Sequence, residues 1–445
     1  MSGIAGIARP GMRAQVETML SKLAHRGPEK SEVIETPWAT LGVVTQDEAT
    51  VDLLSDQNLA QDAHGGIHSA RAQVSQSGVQ LKRDPLGVAP MYYGSLPAGE
   101  MAFASEVKAL LPMTADVTEL LPGNTLEDGR LKSYFQLDRL TESEMPFEDC
   151  KRELRSRLEA AVEKRIGDGD VGAWLSGGLD SSTLAALARP YVQSLHTFAA
   201  GVEGSDDLVY AREVADFLDT NHYEVVVTLA DMLEALPEVI YHLESFDAWL
   251  VRSSITNYLV AQRAADYVPA VFSGEGGDEL FAGYDYLKNI PPDSLADELV
   301  DITGRLHNTA LQRVDRCAGA HGTTAYVGFL DANVVDWAFH IPAAYKLHAG
   351  VEKWILRQAV SDLLPASVTF RPKAKFWQGA GVAEQIAEYA NQQIDDTEFE
   401  HDRQLANGWR MNSKEELYYY RIFQEHFGNL EDLSWVGRTK GSPVT

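Results

Sequence analysis

The chain has 445 residues, of which 45% are hydrophobic and 23% charged, as in an ordinary globular protein large enough for two or three domains. Its 65 acidic and 38 basic residues give a formal charge of −27, which argues against a nucleic-acid or anionic-membrane partner. This acidity fits a high-salt cytoplasm or an ordinary solvated surface equally well. Cys150 and Cys317 are too few for a disulfide framework and form no Cys-x-x-Cys metal pair.

The sequence has no apolar run near the roughly 18 residues that a membrane helix needs, and no charged-then-apolar leader at its amino terminus. We therefore predict a cytoplasmic protein with reduced, structural cysteines and no membrane partner. The composition does not determine the oligomeric state, and a homodimer remains open.

Two regions of different character follow each other along the chain. Residues 1–130 have short apolar runs separated by Gly, Pro and Asp, which predicts a mostly β domain with one early helix at about 13–24. A second domain is predicted over 146–433, and it begins with a helix at about 148–165 that has an apolar residue at every fourth position. Residues 434–445 are predicted to be a loose tail.

Strands and helices alternate after that first helix. Apolar runs at 195–201, 223–227 and 268–272 predict strands, and 207–218 predicts an amphipathic helix. Strands separated by helices imply a doubly wound parallel sheet, with ligands at the carboxyl ends of its strands. The residues from about Asp285 onward are predicted to be mostly helical. The predicted fold class is therefore α/β, with an N-terminal mostly β domain and a helical C-terminal part.

A glycine-rich loop opens the second domain's sheet region. Within 171–188 a short apolar strand is followed by Ser176, Gly177 and Gly178, and then by a helix that begins with hydroxyl residues. The glycines let the backbone approach an anion, and the positive end of the helix points toward it. No Gly-x-x-x-x-Gly-Lys-Ser/Thr sequence occurs, so this phosphate loop (residues 175–178) is not of the Walker type.

Asp180, just beyond the phosphate loop, indicates a metal. A carboxylate there repels phosphate unless a divalent cation lies between them. A second carboxylate, Asp278, lies in an acidic loop (Ser273–Glu279) where three glycines and three acids crowd at the end of a predicted strand. The two aspartates are the predicted magnesium ligands. The predicted nucleotide contacts are Leu175, Ser176, Gly177, Gly178, Asp180, Ser181, Ser182, Ser273 and Gly274.

Both loops resemble those of a known enzyme family. Ser-Gly-Gly-x-Asp-Ser at 176–181 resembles the pyrophosphate loop of ATP pyrophosphatases, which cut ATP between its α and β phosphates and adenylate a substrate. The acidic loop resembles the Ser-Gly-Glu-Gly-x-Asp-Glu signature of asparagine synthetases. There the matching aspartates bind magnesium, and the glutamate that matches Glu275 is implicated in activating ammonia. The related β-lactam synthetases carry a tyrosine at that place, so Glu275 favours a small amine donor.

The C-terminal part adds a lysine and two substrate candidates. Lys373, in Arg-Pro-Lys-Ala-Lys-Phe at 371–376, matches the lysine that in this family stabilises charge on the α-phosphate during adenylation. Lys375 nearby is equally well explained as a surface residue. Asp247 and Arg252 lie where the resemblance places the substrate region, although an ordinary salt bridge on a helix face would look the same.

One stretch departs from that family. Asparagine synthetases read Glu-x-Arg-x-Pro-Phe-Leu-Asp where this chain has Thr324–Asp331, with Tyr326 and Gly328 in place of the arginine and the proline. The resemblance therefore leaves the carboxylate substrate open.

The N-terminal domain resembles the glutaminase domain of class II glutamine amidotransferases. That family uses an amino-terminal cysteine as its nucleophile, whereas this chain has Ser2, whose hydroxyl is almost never ionised near neutral pH. A glutamine-binding stretch like Tyr-Asn-Gly-Glu-Ile-Tyr-Asn is also missing. We therefore predict a structural relic, or a surface that packs against the second domain. The matching segments are Met1–Ile7, His25–Glu29, Arg83–Tyr93 and Phe103–Leu110.

The combined prediction is an ATP- and Mg²⁺-dependent amide ligase that forms an acyl-adenylate, releases pyrophosphate, and joins the carboxylate to ammonia or a small amine. Two alternatives remain. One is a β-lactam- or isopeptide-forming synthetase, and the other is a non-catalytic nucleotide-binding scaffold. The presence of Asp180, Asp278, Glu275 and Lys373 together weighs against the scaffold.

Overall fold

The structure is a computed structural model that describes residues 2–46, 58–63, 68–76, 78–166, 170–371, 380 and 383–439. Strands dominate residues 2–133, as predicted. They are β1 (Ser2–Ile7), β2 (Lys30–Glu35), β3 (Thr40–Thr45), β4 (Asn58–Ala63), β5 (His68–Ser75), β6 (Gly78–Arg83), β7 (Tyr92–Ser95), β8 (Met101–Ala104), β9 (Thr118–Glu119), β10 (Asn124–Glu127) and β11 (Arg130–Ser133).

These strands form two antiparallel sheets, in the orders β2-β3-β1-β8-β7-β9 and β11-β10-β6-β5-β4. β1 is buried along its whole length because it pairs with β3 on one side and β8 on the other. The early helix, predicted at about 13–24, runs over Arg13–Ser21 and buries Val16, Met19 and Leu20. It packs closely on β3, where a Cβ at Gly42 would lie 2.6 Å from Val16 Cγ1. A second, short helix is Val107–Leu110.

The C-terminal part contains the predicted parallel sheet. Its strands are β12 (Gly172–Trp174), β13 (His196–Gly201), β14 (Asn221–Val226), β15 (Ala270–Phe272) and β16 (Thr324–Tyr326), in the order β14-β13-β12-β15-β16. Every neighbouring pair is parallel. The α/β fold class is thus confirmed. The strand order reverses between β12 and β15, and such a switch point is where open α/β sheets bind ligands.

Helices surround this sheet and fill most of the rest of the chain. In the predicted apolar stripe, Leu154, Leu158 and Val162 are buried, and Ile166, beyond the end of the helix, is half-buried. The region after Asp285 is mostly helical as predicted, but it also contains β16. This strand has only three residues, which is too short for a periodic pattern in the sequence. The helices are Phe147–Glu163, Leu179–Ala188, Asp206–Leu218, Leu229–Leu243, Ala248–Ala265, Gly277–Leu280, Pro292–Gly304, Ala310–Gly319, Ala332–His340, Ala343–Lys346, Trp354–Ala359, Ala366–Thr369, Ala383–Gln393, Asp396–Asp402 and Lys414–Phe427.

The segment after Ser434 corrects the prediction of a loose tail as far as it is described. Trp435 and Val436 are only 3% and 6% exposed. Thr439 Oγ1 lies 2.8 Å from Asp247 Oδ1, to which it donates a hydrogen bond. Residues 434–439 are therefore packed on the C-terminal part, and 440–445 lie outside the described residues.

Both cysteines are buried and free, in agreement with the prediction of structural thiols. Throughout the part of the chain that the structure describes, each helix is too short or too polar to span a bilayer.

Three histidines lie where the N-terminal part meets the C-terminal part, with His242 buried and His25 and His321 half-buried. The rings of His25 and His242 are 4.5 Å apart, and His321 lies beyond Tyr258, 4.4 Å from its ring. Burial lowers the pKa of all three histidines, to about 2 for His242 and to about 4 for His321. The positive charge of Lys108 lowers the pKa of His25 and His242 further. Glu106 opposes the shift at the first two. These histidines are therefore neutral in the folded protein at neutral pH.

We expect the free energy of unfolding to fall as the pH drops below about 6.5, the pKa of an unfolded histidine. His242 and His321 bind protons in the unfolded chain but stay neutral in the folded protein. Each of them therefore lowers the free energy of unfolding by roughly 1.4 kcal/mol per pH unit. Urea unfolding at several pH values measures this slope. His242→Gln should flatten it, whereas His401→Gln, at a side chain 86% exposed, should not. An equal slope in wild type and His242→Gln would contradict the assignment.

Candidate active site

The phosphate loop follows β12 and leads directly into the helix Leu179–Ala188. Gly177 has a φ of +65°, and a Cβ there would lie 2.4 Å from Tyr210 Cβ. Only glycine fits this tight, left-handed position. Leu175 is buried, and its N–H bonds to Phe198 O at 2.7 Å, so it can offer a nucleotide only its carbonyl.

Two serines tie the phosphate loop to the helix. Ser176 Oγ and Ser181 Oγ are 3.1 Å apart, and the Ser176 N–H donates to Ser181 Oγ at 3.2 Å. Ser182, by contrast, is 0% exposed, and its N–H bonds to Gly178 O at 3.1 Å. The nucleotide contact of Ser182 therefore stays a prediction.

The acidic loop begins where β15 ends. Ser273 is buried, and its N–H bonds to Tyr326 O on the neighbouring strand at 2.9 Å. A Cβ at Gly274 would lie 2.9 Å from Ser181 N, and one at Gly277 would lie 2.4 Å from Asp180 Oδ1. The glycines thus let the acidic loop press against the first turn of the helix that carries Asp180.

Asp180 and Asp278 converge on one cationic group, the ammonium group of Lys353. Magnesium binding by the two aspartates stays a prediction. Lys353 Nζ pairs with Asp180 Oδ2 and lies 2.5 Å from Asp278 Oδ1. Lys353 is 1% exposed and holds a left-handed φ of +54°. Its N–H bonds to Phe281 O at 3.1 Å, which anchors it to the end of the acidic loop region.

This arrangement fits a magnesium ion bound together with polyphosphate. Magnesium in such sites takes one or two protein carboxylates and completes its shell with phosphate oxygens and water. Asp180 and Asp278 supply the two carboxylates. Within the described ranges no group of three or more His, Cys, Asp or Glu side chains could hold a metal by itself, so the phosphates would have to contribute ligands.

A second acidic pair lies behind the first. Tyr284 donates a hydrogen bond to Glu279 Oε1 at 2.5 Å. Burial, together with the negative charge of Asp278, raises the pKa of Glu279 to about 7. Burial and the same carboxylates also raise the pKa of Tyr284. Glu279 is therefore held toward its neutral form behind Asp278, whose charge is balanced by Lys353.

Glu275 pairs with Arg313 from the helix Ala310–Gly319. Burial opposes the charge of Arg313, but Glu275 outweighs it, and the pKa of Arg313 is raised. Neither Arg313 nor Lys353 was among the predicted site residues. Lys353 lies in Glu352–Arg357, a further stretch that resembles the asparagine synthetases, and Arg313 lies in an ordinary amphipathic helix.

Lys373 and Lys375 lie outside the described residues. Arg371, the last residue described before them, is bound to the phosphate loop region. It donates to Ser176 O at 3.3 Å and pairs with Asp207 at 3.0 Å.

Asp247 and Arg252 have structural partners. Asp247 caps the helix Ala248–Ala265 by accepting from Leu250 N at 2.9 Å. Arg252 forms a two-pronged ion pair with Glu415, with one contact at 3.0 Å. These contacts leave their part in substrate binding a prediction.

Ser2 begins β1 and is buried. Arg26 Nε donates to the carbonyl oxygen of Ser2 at 3.2 Å. The interdomain residue Arg26 thus reaches the very position where amidotransferases carry their nucleophile.

Comparison with known proteins identifies the family. The family model described as asparagine synthase matches residues 153–301 and 291–442, and one described as a glutamine amidotransferase domain matches 66–164. Asparagine synthetase B (glutamine-hydrolyzing) of Escherichia coli strain K12 is 36% identical over 371 residues, which are 78% of this chain and 67% of that protein. Asparagine synthetase (glutamine-hydrolyzing) 2 of Arabidopsis thaliana is 33% identical over 372 residues, which are 78% of this chain and 64% of that protein.

The human asparagine synthetase (glutamine-hydrolyzing) is 32% identical over 420 residues, 82% of this chain and 75% of that protein. The chain thus spans about two thirds of the length of the first two relatives. Among solved structures, an NMN synthetase from Francisella tularensis matches 64% of this chain and 98% of its own with 12% identity and a TM-score of 0.30, too low to carry an argument. The matched family model and these identities show that the chain belongs to the asparagine synthase family.

Proposed function

We propose that the protein is an ATP-dependent carbon–nitrogen ligase that adenylates a carboxylate and joins it to ammonia or a small amine without hydrolysing glutamine. The convergence of Asp180 and Asp278 on one cation position carries this proposal. The two residues come from loops after adjacent strands at the switch point of the sheet, which is where a polyphosphate would bind. Family membership supports the same reaction class.

The reaction has two balanced steps. A carboxylate oxygen of the substrate attacks the α-phosphorus of ATP, and pyrophosphate leaves. The amine then attacks the acyl carbon, AMP leaves, and the amine loses a proton. Each step breaks one bond to oxygen and forms one new bond, so no oxidant or further reactant is needed.

The residues divide these steps between them. The backbone of the phosphate loop and the start of the following helix bind the departing pyrophosphate. Asp180 and Asp278 would hold Mg²⁺, which when bound neutralises phosphate charge. Lys373 stabilises the charge on the α-phosphate. Glu275, held by Arg313, accepts the proton of the amine.

We assign residues 1–130 to an amidotransferase-like domain without glutaminase activity and 146–433 to the synthetase domain. The support is chemical. Ser2 replaces a thiol that is both more acidic and more nucleophilic than a hydroxyl. The relatives named above carry the description glutamine-hydrolyzing, so this chain would differ from them in its nitrogen source.

Ammonium is expected to support product formation at concentrations where glutamine does not. Ser2→Cys should not restore glutamine use, because the glutamine-binding stretch is missing along with the thiol. Amide product and glutamate are measured in parallel with each nitrogen source. Glutamate release at the rate of amide synthesis would show that the first domain is an active glutaminase.

The substrate can be found by a screen. Amino acids and small carboxylic acids are tested for stimulated pyrophosphate release, each with and without ammonium. Stimulation that requires no added amine would instead favour a ring-closing synthetase, in which one molecule supplies both reacting groups. No stimulation by any carboxylate would count against a ligase.

A further inference from the structure

One helix links the N-terminal part of the chain to the candidate active site. We name Ala310–Gly319 the seam helix. Its charged and amide side chains bind groups on both sides of it. Asp315 and Arg316 bind residues of the N-terminal part, and Gln312 and Arg313 bind residues of the synthetase part.

The contact with the N-terminal part is a buried charge network. Arg26 is 0% exposed and grips Asp315 with both of its terminal nitrogens, at 2.7 and 2.9 Å. Arg316 lies 2.9 Å from Glu106 and 3.1 Å from Glu244. Arg26 also donates to Glu106 at 2.6 Å. A bidentate guanidinium–carboxylate pair fixes both the distance and the angle between its two groups.

The contact with the synthetase part reaches the proposed base. Gln312 Nε2 donates to Leu243 O at 2.7 Å, and Arg313 pairs with Glu275 in the acidic loop. Arg313 and Asp315 are two positions apart, so they project from nearly opposite sides of the helix. If the ion pair between Arg26 and Asp315 weakened, the seam helix could rotate or shift. Arg313 would then move, and Glu275 would move with it.

We propose that Arg26 is a positioning residue for Glu275, acting through Asp315, the seam helix and Arg313. The N-terminal part is then a structural component of the synthetase site and not a passive remnant. This inference rests on the proposed role of Glu275 in amide formation. It gives Arg26 no part in adenylation, because none of its contacts reaches the phosphate loop.

The test is Arg26→Lys, which keeps the charge but removes the two-pronged fork. Pyrophosphate exchange into ATP reports adenylation, and amide yield reports the step that Glu275 serves. We expect exchange to remain near the wild-type rate while amide formation falls, by at most the roughly 10²-fold or more that loss of the base itself causes. Loss of both activities in proportion, or of neither, would overturn the proposal.

A matched control and a double variant make the test specific. Arg403→Lys alters another buried guanidinium, which bonds to Glu400 and to Met411 O near the C-terminus, and should change neither readout. Glu275→Gln combined with Arg26→Lys should form amide no more slowly than Glu275→Gln alone, because Arg26 acts only through Glu275. Additive losses would show that Arg26 acts by another route.

Two further experiments apply if the variant does not fold or if the proposed function is wrong. If Arg26→Lys does not fold, Asp315→Asn tests the same pair with an unchanged side-chain shape, and the same split between exchange and amide is expected. If the wild type adenylates no carboxylate, the proposed function fails by itself. Crystal structures of the wild type and Arg26→Lys then decide the coupling: a retained Glu275–Arg313 pair in the variant would contradict it.

Discussion

Asp180→Ala and Asp278→Ala are each expected to reduce magnesium-dependent ATP cleavage to background while the protein stays folded. Each change leaves the cation with one protein carboxylate in place of two, which weakens its attachment to the protein and with it the hold on the phosphates. The fold should survive because Lys353 keeps the other aspartate as its partner. Pyrophosphate release is measured over a range of magnesium concentrations, and circular dichroism monitors folding.

Asp285→Ala is the matched control for these two variants. Asp285 lies just beyond the acidic loop, but its side chain is 87% exposed and pairs only with Lys288 among the ion pairs described. Its turnover should equal that of the wild type. If Asp180→Ala kept more than a few per cent of the wild-type turnover, the assignment of a shared cation site would be wrong.

The second large effect is a difference between variants of Glu275 and Lys373 in which of the two reaction steps is lost. Lys373→Ala should eliminate pyrophosphate exchange, because the lysine acts while negative charge builds on the α-phosphate. Glu275→Gln keeps the shape of the side chain but cannot accept a proton from the amine. Exchange should therefore survive in this variant while amide formation falls by roughly 10²-fold or more. Both rates are measured in both variants.

The opposite pattern is equally informative. If Glu275→Gln lost exchange as completely as Lys373→Ala, Glu275 would be a substrate or metal contact. The argument for an ammonia-like donor would then lose its main support.

The parts of the site that the sequence predicted are those with an unusual local composition. Gly177 and Gly178 before Asp180, and the glycines around Asp278, make poor packing material, so their presence after short apolar strands indicates a ligand. Alternation of strands and helices then places both loops at one edge of a parallel sheet. The pairing of β12 with β15 brings the two aspartates together as this reasoning requires.

Other parts could not be predicted because they depend on contacts between distant segments. Lys353 reaches Asp180 across 173 positions of the chain, and nothing in its own neighbourhood marks it as buried. Arg26 and Asp315 are 289 positions apart. The burial of Ser182 was not predictable either, because the start of a helix shows which residues are polar but not which of them the next layer of the fold covers.

The measurement that tests the central claim most directly follows oxygen from the substrate into the nucleotide. The carboxylate found by the screen is labelled with ¹⁸O in its carboxyl group and incubated with ATP, magnesium and ammonium. Adenylation joins a carboxylate oxygen to the α-phosphorus, so the account predicts one ¹⁸O atom in each AMP formed and none in pyrophosphate. Label appearing in inorganic phosphate, together with ADP, would show activation at the γ-phosphate and contradict it.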